Sequence, residues 1–375
     1  MAYLTPAVAA RPNLHIAVGQ TVTRVIFSTP TSPSARPRAL GVEMRASSGA
    51  PLAYLAKARR EVVLCAGAVH TPHVLKLSGV GPAAELAAHG IPLVADLPAV
   101  GANLADHLFC TLVAKVSPGT SAQVLADPVR SLPALAQWLR SGTGVMTTQV
   151  AEAAGFCRTA ARADAPAGLR GRDLSSGATS ADLELLVGSA VFIDHGNDKS
   201  APPGDYASVG PIMLRPESRG AVTLASADPF APPRVAANYL STRHDVDMLT
   251  YGLRLARSLA RTRPFAPHFK GWHWPAPGSS AAVPAGQTVD DMTDAQLEAH
   301  VRATAETIYH PMCTARMGPS PRDAAVDAQL RVHGVDGLRV ADASVFPAPV
   351  ACHPCAPVVF VGERAADLIA RGVHG

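Results

Sequence analysis

Residues 61–81 read EVVLCAGAVHTPHVLKLSGVG, and this stretch decides the fold. The run Val62–Leu64 is continuously apolar and ends in Ala-Gly-Ala, as expected of a strand that is buried on both faces in a parallel sheet. After the strand, Thr71 can cap a helix that has Pro72 in its first turn and Gly79 beyond its end. The stretch therefore predicts a strand, a turn and a helix, the unit of an α/β fold.

The two ends of the chain share this pattern of a buried strand followed by a helix, whereas the middle does not. LRVADASVFP at 338–347 predicts a second short buried strand, and residues 358–372 predict a final helix. Between about 110 and 310, loop-rich stretches separate less regular strands and two predicted helices, the second opened by Thr293 and Gln296 as a capping box. We therefore predict a mixed fold, α/β at the ends and a separate domain in the middle.

Composition excludes several classes of protein. The 375 residues are 48% apolar and 17% charged, with a net charge of +4, which describes a folded globular chain without the basic runs that bind nucleic acid. No apolar stretch approaches the roughly 18 residues that span a bilayer, and we predict no signal peptide at the start. Six cysteines in so long a chain do not form a disulfide scaffold, and the compartment stays open.

Histidine and cysteine cluster near the end of the chain. Cys352 and Cys355 have the spacing of a dithiol redox motif at a helix start, where a thiolate is stabilised. Together with His310 and Cys313, they also resemble two ligand pairs of a tetrahedral zinc site. Ordinary packing of small thiols and hydrogen-bonded imidazoles is a third interpretation. The residues by themselves leave all three open.

Four ordered stretches resemble the glucose-methanol-choline (GMC) family of flavin oxidoreductases. They are GAVHTPHVLKLSGVG (67–81), LPAVGANLADHL (97–108), LRPESRGAVTLASADPFAPPRVAANYL (214–240) and the block from YHPMCTARMG (309–318) to the C-terminal helix. The resemblance implies a partial Rossmann-like FAD-binding domain with an inserted substrate domain, built on an antiparallel sheet with helices. Residues 1–110 and 310–375 would belong to the FAD-binding domain, and 111–309 to the substrate domain.

The resemblance also implies chemistry. It implies FAD as cofactor and oxidation of a small-molecule alcohol to an aldehyde or ketone, in a choline dehydrogenase-like or aryl-alcohol oxidase-like manner, without a metal. His310 and His353 would be the facing catalytic residues, and the electron acceptor, oxygen or another molecule, stays open. The residues implied to lie against FAD are Val22, Ala66, Gly67, Ala68, Asp342, Ala343, Pro354 and Cys355. Tyr309, Phe192, Trp272 and Trp274 could line a substrate pocket or pack in the core.

The sequence departs from the family's pattern in two ways. Cys313 stands where many members have glycine, and the strand with GxGxxG that cradles the FAD diphosphate lies before the first residue of this chain. Gly79–Ala84 satisfies the loose G-x-G-x-x-G/A pattern but follows a predicted helix end, so we reject it as a phosphate loop. We therefore expect an incomplete dinucleotide site, and keep a hydroxynitrile lyase and a non-catalytic remnant as alternatives.

Overall fold

The computed structural model describes residues 3–32, 34–49, 52–198, 201–275 and 283–372. Its helices are α1 Pro6–Ala9, α2 Gly67–Leu77, α3 Ala83–Ala88, α4 Leu132–Ser141, α5 Ala167–Arg170, α6 Arg243–Leu259, α7 Asp294–Thr304 and α8 Cys355–Arg371. Its strands are β1 Gln20–Phe27, β2 Ala39–Ala46, β3 Ala53–Lys57, β4 Val62–Leu64, β5 Val80–Gly81, β6 Ala95–Asp96, β7 Leu108–Phe109, β8 Leu112–Val116, β9 Ala151–Cys157, β10 Leu183–Gly188, β11 Tyr206–Met213, β12 Ala221–Thr223, β13 Arg234–Ala236, β14 Phe269–Trp274, β15 Glu306–Thr307 and β16 Leu338–Val340.

The ends of the chain meet in a parallel pair of strands. β4 pairs with β16 in parallel, with Val62 opposite Leu338 and Leu64 opposite Val340. Both strands are largely buried, as their apolar runs predict. The parallel pairing brings the carboxyl ends of the two strands to one edge, although more than 270 residues separate them along the chain. The predicted α/β unit is confirmed.

The middle of the chain forms an antiparallel sheet. Its strands run in the order β14-β8-β11-β10-β9, and β7 pairs with both β11 and β15. One apolar cluster is built from residues 25–105 and 312–365, and another from residues 108–301, under α6 and α7. The mixed fold with an antiparallel sheet is confirmed, and the clusters support the three-part division that we propose. β7 begins at Leu108, slightly before the predicted boundary at 110.

Helix α2 begins earlier than its sequence predicts. The helix starts at Gly67, so Pro72 lies inside it and Thr71 is not its cap. A proline at this position leaves the carbonyl of Ala68 without its helical donor. The Thr314 hydroxyl replaces that donor at 2.6 Å, which explains why the helix tolerates the proline. The expected start at Thr71 is therefore wrong, because a tertiary contact offsets the local signal.

Other local predictions fare differently. The capping box at Thr293 is present, and α7 follows it directly. Strand β1 begins at Gln20, and residues 11–19 before it are exposed. Gly79 has φ +83, and a Cβ there would lie 2.3 Å from the carbonyl oxygen of Pro92. Gly79 thus serves a tight turn into β5, which is incompatible with a phosphate loop.

A buried lysine joins α2 to the middle of the chain. Lys76 is 2% exposed, and its ammonium donates hydrogen bonds to Glu85 Oε2 at 2.8 Å and to the Val222 carbonyl at 2.6 Å. Glu85 Oε1 also accepts a hydrogen bond from the Leu224 N–H at 2.7 Å. Burial lowers the pKa of Lys76, and the hydrogen bond with Glu85 opposes that shift. The ion pair of Lys76 and Glu85 therefore keeps the lysine charge where it has little access to water.

We expect Glu85→Ala to lower the free energy of unfolding by about 3–5 kcal/mol, because it leaves the Lys76 ammonium buried without a counter-charge. The double variant Lys76→Met/Glu85→Leu should cost less than Glu85→Ala alone, since it removes both charges. Urea denaturation measures each value. The exposed Glu152→Ala is the matched control and should stay within about 0.5 kcal/mol of the parent. Equal stability of Glu85→Ala and Glu152→Ala would contradict this account.

Candidate active site

Two histidines meet where β7 and β15 pair. Thr307 lies opposite Leu108 in this pairing, so His107, just before β7, faces the segment after β15. The Nδ1 atoms of His107 and His310 are 3.0 Å apart, and their ring centroids are 5.2 Å apart. One of the two nitrogens must therefore carry a hydrogen atom and donate a hydrogen bond to the other. The contact fixes the orientation of the His310 ring.

Asp106 holds the backbone of His310 in place. Its carboxylate is 6% exposed and accepts hydrogen bonds from the Tyr239 hydroxyl at 2.6 Å, the Thr307 hydroxyl, and the His310 N–H at 3.0 Å. Burial raises the pKa of Asp106, whereas these donors lower it. Tyr309, just before His310, has φ +64, in the left-handed region that costs a non-glycine residue about 1–2 kcal/mol. The Asp106 contacts hold this strained turn.

His353 lies on the other side of His310. The ring centroids of His310 and His353 are 4.7 Å apart, edge to face. His353 lies just before α8, with its side chain 47% exposed, and its Nε2 is 3.2 Å from Glu184 Oε1. Glu184 is on β10, its side chain is 1% exposed, and its Oε2 has no hydrogen-bond partner among the described residues. A carboxylate and three imidazoles therefore form one continuous row.

The row is arranged to keep two of its imidazoles neutral. Burial, with a smaller electrostatic contribution from the neighbouring His353, lowers the pKa of His310 to about 4. Burial also lowers the pKa of His107 to about 3, with an added contribution from His310. Near neutral pH both rings are uncharged, so each carries one lone pair. If His310 Nδ1 donates to His107, the Nε2 of His310 is free to accept a proton.

A cavity of about 300 Å³ opens beside His310 and His353. It lies between the turn of Tyr309 and His310 and the face of the antiparallel sheet. Much of its wall is apolar and comes from Phe109, Leu186, Val191, Phe192 and Ile308, and Gln149, Ser208 and Tyr309 add polar groups. Among the described residues, none with a carboxylate, ammonium or guanidinium group lines it. The cavity therefore suits an uncharged, mainly apolar molecule that places a polar atom near the imidazoles.

Family models match two parts of this chain. The N-terminal model of GMC oxidoreductases matches residues 1–109, and the C-terminal model matches residues 216–362. The chain belongs to the GMC oxidoreductase family. The matches include His107 in the first part and His310 and His353 in the second, so the row of imidazoles joins the two matched parts of this GMC oxidoreductase.

Relatives of this GMC chain include dehydrogenases. A dehydrogenase of Strobilurus tenacellus is 38% identical over 99% of the chain and 60% of its own length. The mitochondrial choline dehydrogenase of Mus musculus is 36% identical over 98% of the chain and 55% of its length. A formate oxidase of Aspergillus oryzae has a TM-score of 0.82 at 28% identity, covering 97% of this chain and 62% of that one. The chain thus spans less than two thirds of each of these proteins.

Five of the predicted cofactor residues of the GMC chain, Ala66, Gly67, Ala68, Asp342 and Ala343, follow the carboxyl ends of β4 and β16. Asp342 Oδ2 accepts hydrogen bonds from the Thr71 hydroxyl at 2.6 Å and the Gly67 N–H at 2.9 Å, and its Oδ1 accepts one from the Ser344 N–H at 2.8 Å. This carboxylate is buried and fully engaged. Its role in the structure is therefore to hold Ala66–Ala68 next to Ala343. Contact of these residues with a cofactor stays a prediction.

The surface around this edge is open. Gly67 has φ +80, and a Cβ built on it would meet no atom within 4 Å. Ala66 and Cys355 are exposed. Pro354 comes directly before the first residue of α8, and no side chain caps that helix. Val22 lies on β1, partly buried beside the apolar cluster of the chain ends. Open backbone and free helix N–H groups fit an extended anionic cofactor.

All six cysteines are free thiols. Cys313 is 1% exposed, and burial raises its pKa to about 12. It has φ +74, in the region that favours glycine, which explains why glycine suits this position in the family. In the described ranges, no three His, Cys, Asp or Glu side chains form a group that could hold a metal ion. The four residues whose spacing suggests a zinc site therefore do not form one in the described ranges.

Sequence reasoning missed three residues of the site. Asp106 and His107 belong to a quoted family motif, yet no role follows from their sequence context. Glu184 does carry a signal, because a carboxylate inside the apolar run 183–187 needs a buried partner. Of the four aromatic residues left open, Tyr309 and Phe192 line the cavity, whereas Trp272 and Trp274 pack against apolar clusters of the sheet.

In the parts of the chain that the structure describes, none of the helices combines the length and apolar character that crossing a bilayer demands.

Proposed function

We propose that the chain takes part in FAD-dependent oxidation of an uncharged, mainly apolar alcohol to an aldehyde or ketone. One observation carries the proposal: two imidazole rings, 4.7 Å apart, border an apolar cavity of about 300 Å³. Membership of the GMC oxidoreductase family supports the reaction class. The open backbone at Gly67 and the uncapped start of α8 support FAD as the cofactor.

The residues that would hold FAD are those that the resemblance implies. They are Val22, Ala66, Gly67, Ala68, Asp342, Ala343, Pro354 and Cys355. A bound flavin supplies the acceptor for the two electrons that leave the substrate carbon as hydride. The protein's own part is to bind the alcohol, orient its hydroxyl and remove its proton.

His310 is the proposed base. Its neutral Nε2 can accept the hydroxyl proton while its Nδ1 proton stays in the bond with His107. His353 can hold the same hydroxyl oxygen from the other side. Glu184 lies behind His353, so its carboxylate stabilises positive charge that the imidazole pair gains as the proton transfers. The apolar wall excludes water and so strengthens these interactions.

The substrate class follows from the wall of the cavity. A quaternary ammonium such as that of choline would enter a pocket that has no carboxylate on its lining, and burying an unpaired charge is costly. We expect anaerobic benzyl alcohol to bleach the flavin absorbance of the FAD-loaded protein, and choline at equal concentration to do so at least about tenfold more slowly. Stopped-flow absorbance measures both rates.

The outcomes separate the alternatives. Faster bleaching by choline would show that the substrate class is wrong but leave the reaction class standing. Bound flavin that no alcohol bleaches, combined with cleavage of a cyanohydrin, would favour the hydroxynitrile lyase. Failure to bind FAD at all would favour the non-catalytic remnant.

A further inference from the structure

A second concave surface lies at the other end of the β4–β16 pair. The predicted cofactor residues Ala66–Ala68, Asp342 and Ala343 follow the carboxyl ends of these strands, whereas this surface surrounds their amino ends, next to Glu61 and Gly337. It encloses about 670 Å³. We call it the arginine cleft, defined by Arg36, Arg38, Arg59, Arg60, Arg331 and Arg339.

The arginine cleft has an excess of positive charge. Its lining includes six guanidinium groups and three carboxylates, those of Glu61, Asp327 and Asp336. Glu61 is already paired, since its Oε2 accepts a hydrogen bond from Arg339 Nε at 2.6 Å. Asp327 Oδ1 is also engaged, because it accepts the N–H groups of Gln329 and Arg331. Among the described residues, no carboxylate lies within 4 Å of the other five guanidinium groups.

The walls of the cleft are tied together by backbone hydrogen bonds. The Asp336 N–H donates to the Pro37 carbonyl at 2.9 Å, and the Ala39 N–H donates to the Asp336 carbonyl at 2.8 Å. The Arg38 guanidinium donates a hydrogen bond to the Arg60 carbonyl at 2.7 Å, which ties the segment of Arg38 to the segment of Arg60. Arg339, on the floor, has a side chain that is 7% exposed. The cleft is thus formed before any ligand arrives, which lowers the cost of binding.

We propose that the arginine cleft binds a small molecule carrying two or more phosphate groups. Guanidinium groups bind phosphate oxygens with paired hydrogen bonds, and several of them held close together repel one another until an anion intervenes. The volume lies within the range of small-molecule sites, and the lining is dominated by charged groups instead of apolar ones. The concave shape favours a compact polyanion over the flat acidic surface of a protein partner.

Titration calorimetry of the full chain with inorganic tripolyphosphate tests the proposal. We expect saturable binding that weakens as salt is raised, and that is stronger than binding of orthophosphate at the same ionic strength. The variant Arg59→Ser/Arg331→Ser should bind tripolyphosphate at least about tenfold more weakly. Both side chains are exposed, so their loss should leave the fold intact. The control Arg11→Ser/Arg263→Ser removes the same charge from exposed positions outside the cleft and should bind like the parent.

Two results would overturn the proposal. Equal affinity of the two double variants for tripolyphosphate would show that binding depends on the net charge of the protein and not on the cleft. Tighter binding of poly-glutamate than of tripolyphosphate would assign the cleft to an acidic protein partner. The measurement needs no flavin, so its failure is independent of the proposed oxidation.

Discussion

Replacing His310 with alanine is expected to lower the rate of flavin reduction by bound alcohol by about a hundredfold or more, in the FAD-loaded protein. In the proposed reaction the His310 imidazole takes the hydroxyl proton, since its ring lines the cavity and contacts both His107 and His353. Without it, hydride would have to leave a neutral alcohol instead of an alkoxide. Anaerobic stopped-flow absorbance measures the rate at saturating alcohol.

The pH dependence gives a second readout for His310. Its pKa is about 4, so the ring is neutral above that value and becomes protonated as the pH falls through it. The rate of the parent protein should therefore stay flat from about pH 8 to pH 5 and decline below that range. The exposed His15→Ala is the matched control and should keep the parent rate. If the flavin bound to His310→Ala is reduced at the parent rate, another group is the base.

Replacing Asp106 with alanine is expected to lower turnover by roughly ten- to a hundredfold and to destabilise the fold by about 2–5 kcal/mol. The substitution leaves the Tyr239 hydroxyl, the Thr307 hydroxyl and the His310 N–H without their shared acceptor. The turn that carries His310 would then relax, since Tyr309 stays at φ +64 only while its surroundings hold it. Urea denaturation and single-turnover reduction measure the two effects.

Asp106→Asn distinguishes a positioning role from a direct one. Its amide oxygen can still accept the His310 N–H, and the two hydroxyl groups can turn to accept from its NH₂ group. We expect this variant to recover most of the rate and stability, with an unchanged pH profile. A shifted pH profile, or a loss as large as that of Asp106→Ala, would show that the carboxylate takes part in proton transfer itself.

Local sequence signals determined the elements that depend on few neighbours. The run Val62–Leu64 predicts a buried strand because no polar residue interrupts it, and the structure pairs it with β16. The Thr293 capping box forms because both of its partners lie within one turn. His310 and His353 could be singled out because the motifs around them are contiguous in sequence. Their assignment as catalytic residues remains a proposal.

Tertiary structure decided the features whose partners lie far apart in sequence. Helix α2 starts at Gly67 because Thr314, some 240 residues away, satisfies the carbonyl that Pro72 leaves free. Asp106 meets His310 beside the β7–β15 pairing, and Glu184 on β10 meets His353 in the segment before α8, and no local pattern encodes either contact. A hydrogen bond depends on distance in space, whereas a pattern records only distance along the chain. His310 and His353 were therefore readable from their motifs, but the partners that orient each imidazole required the folded chain.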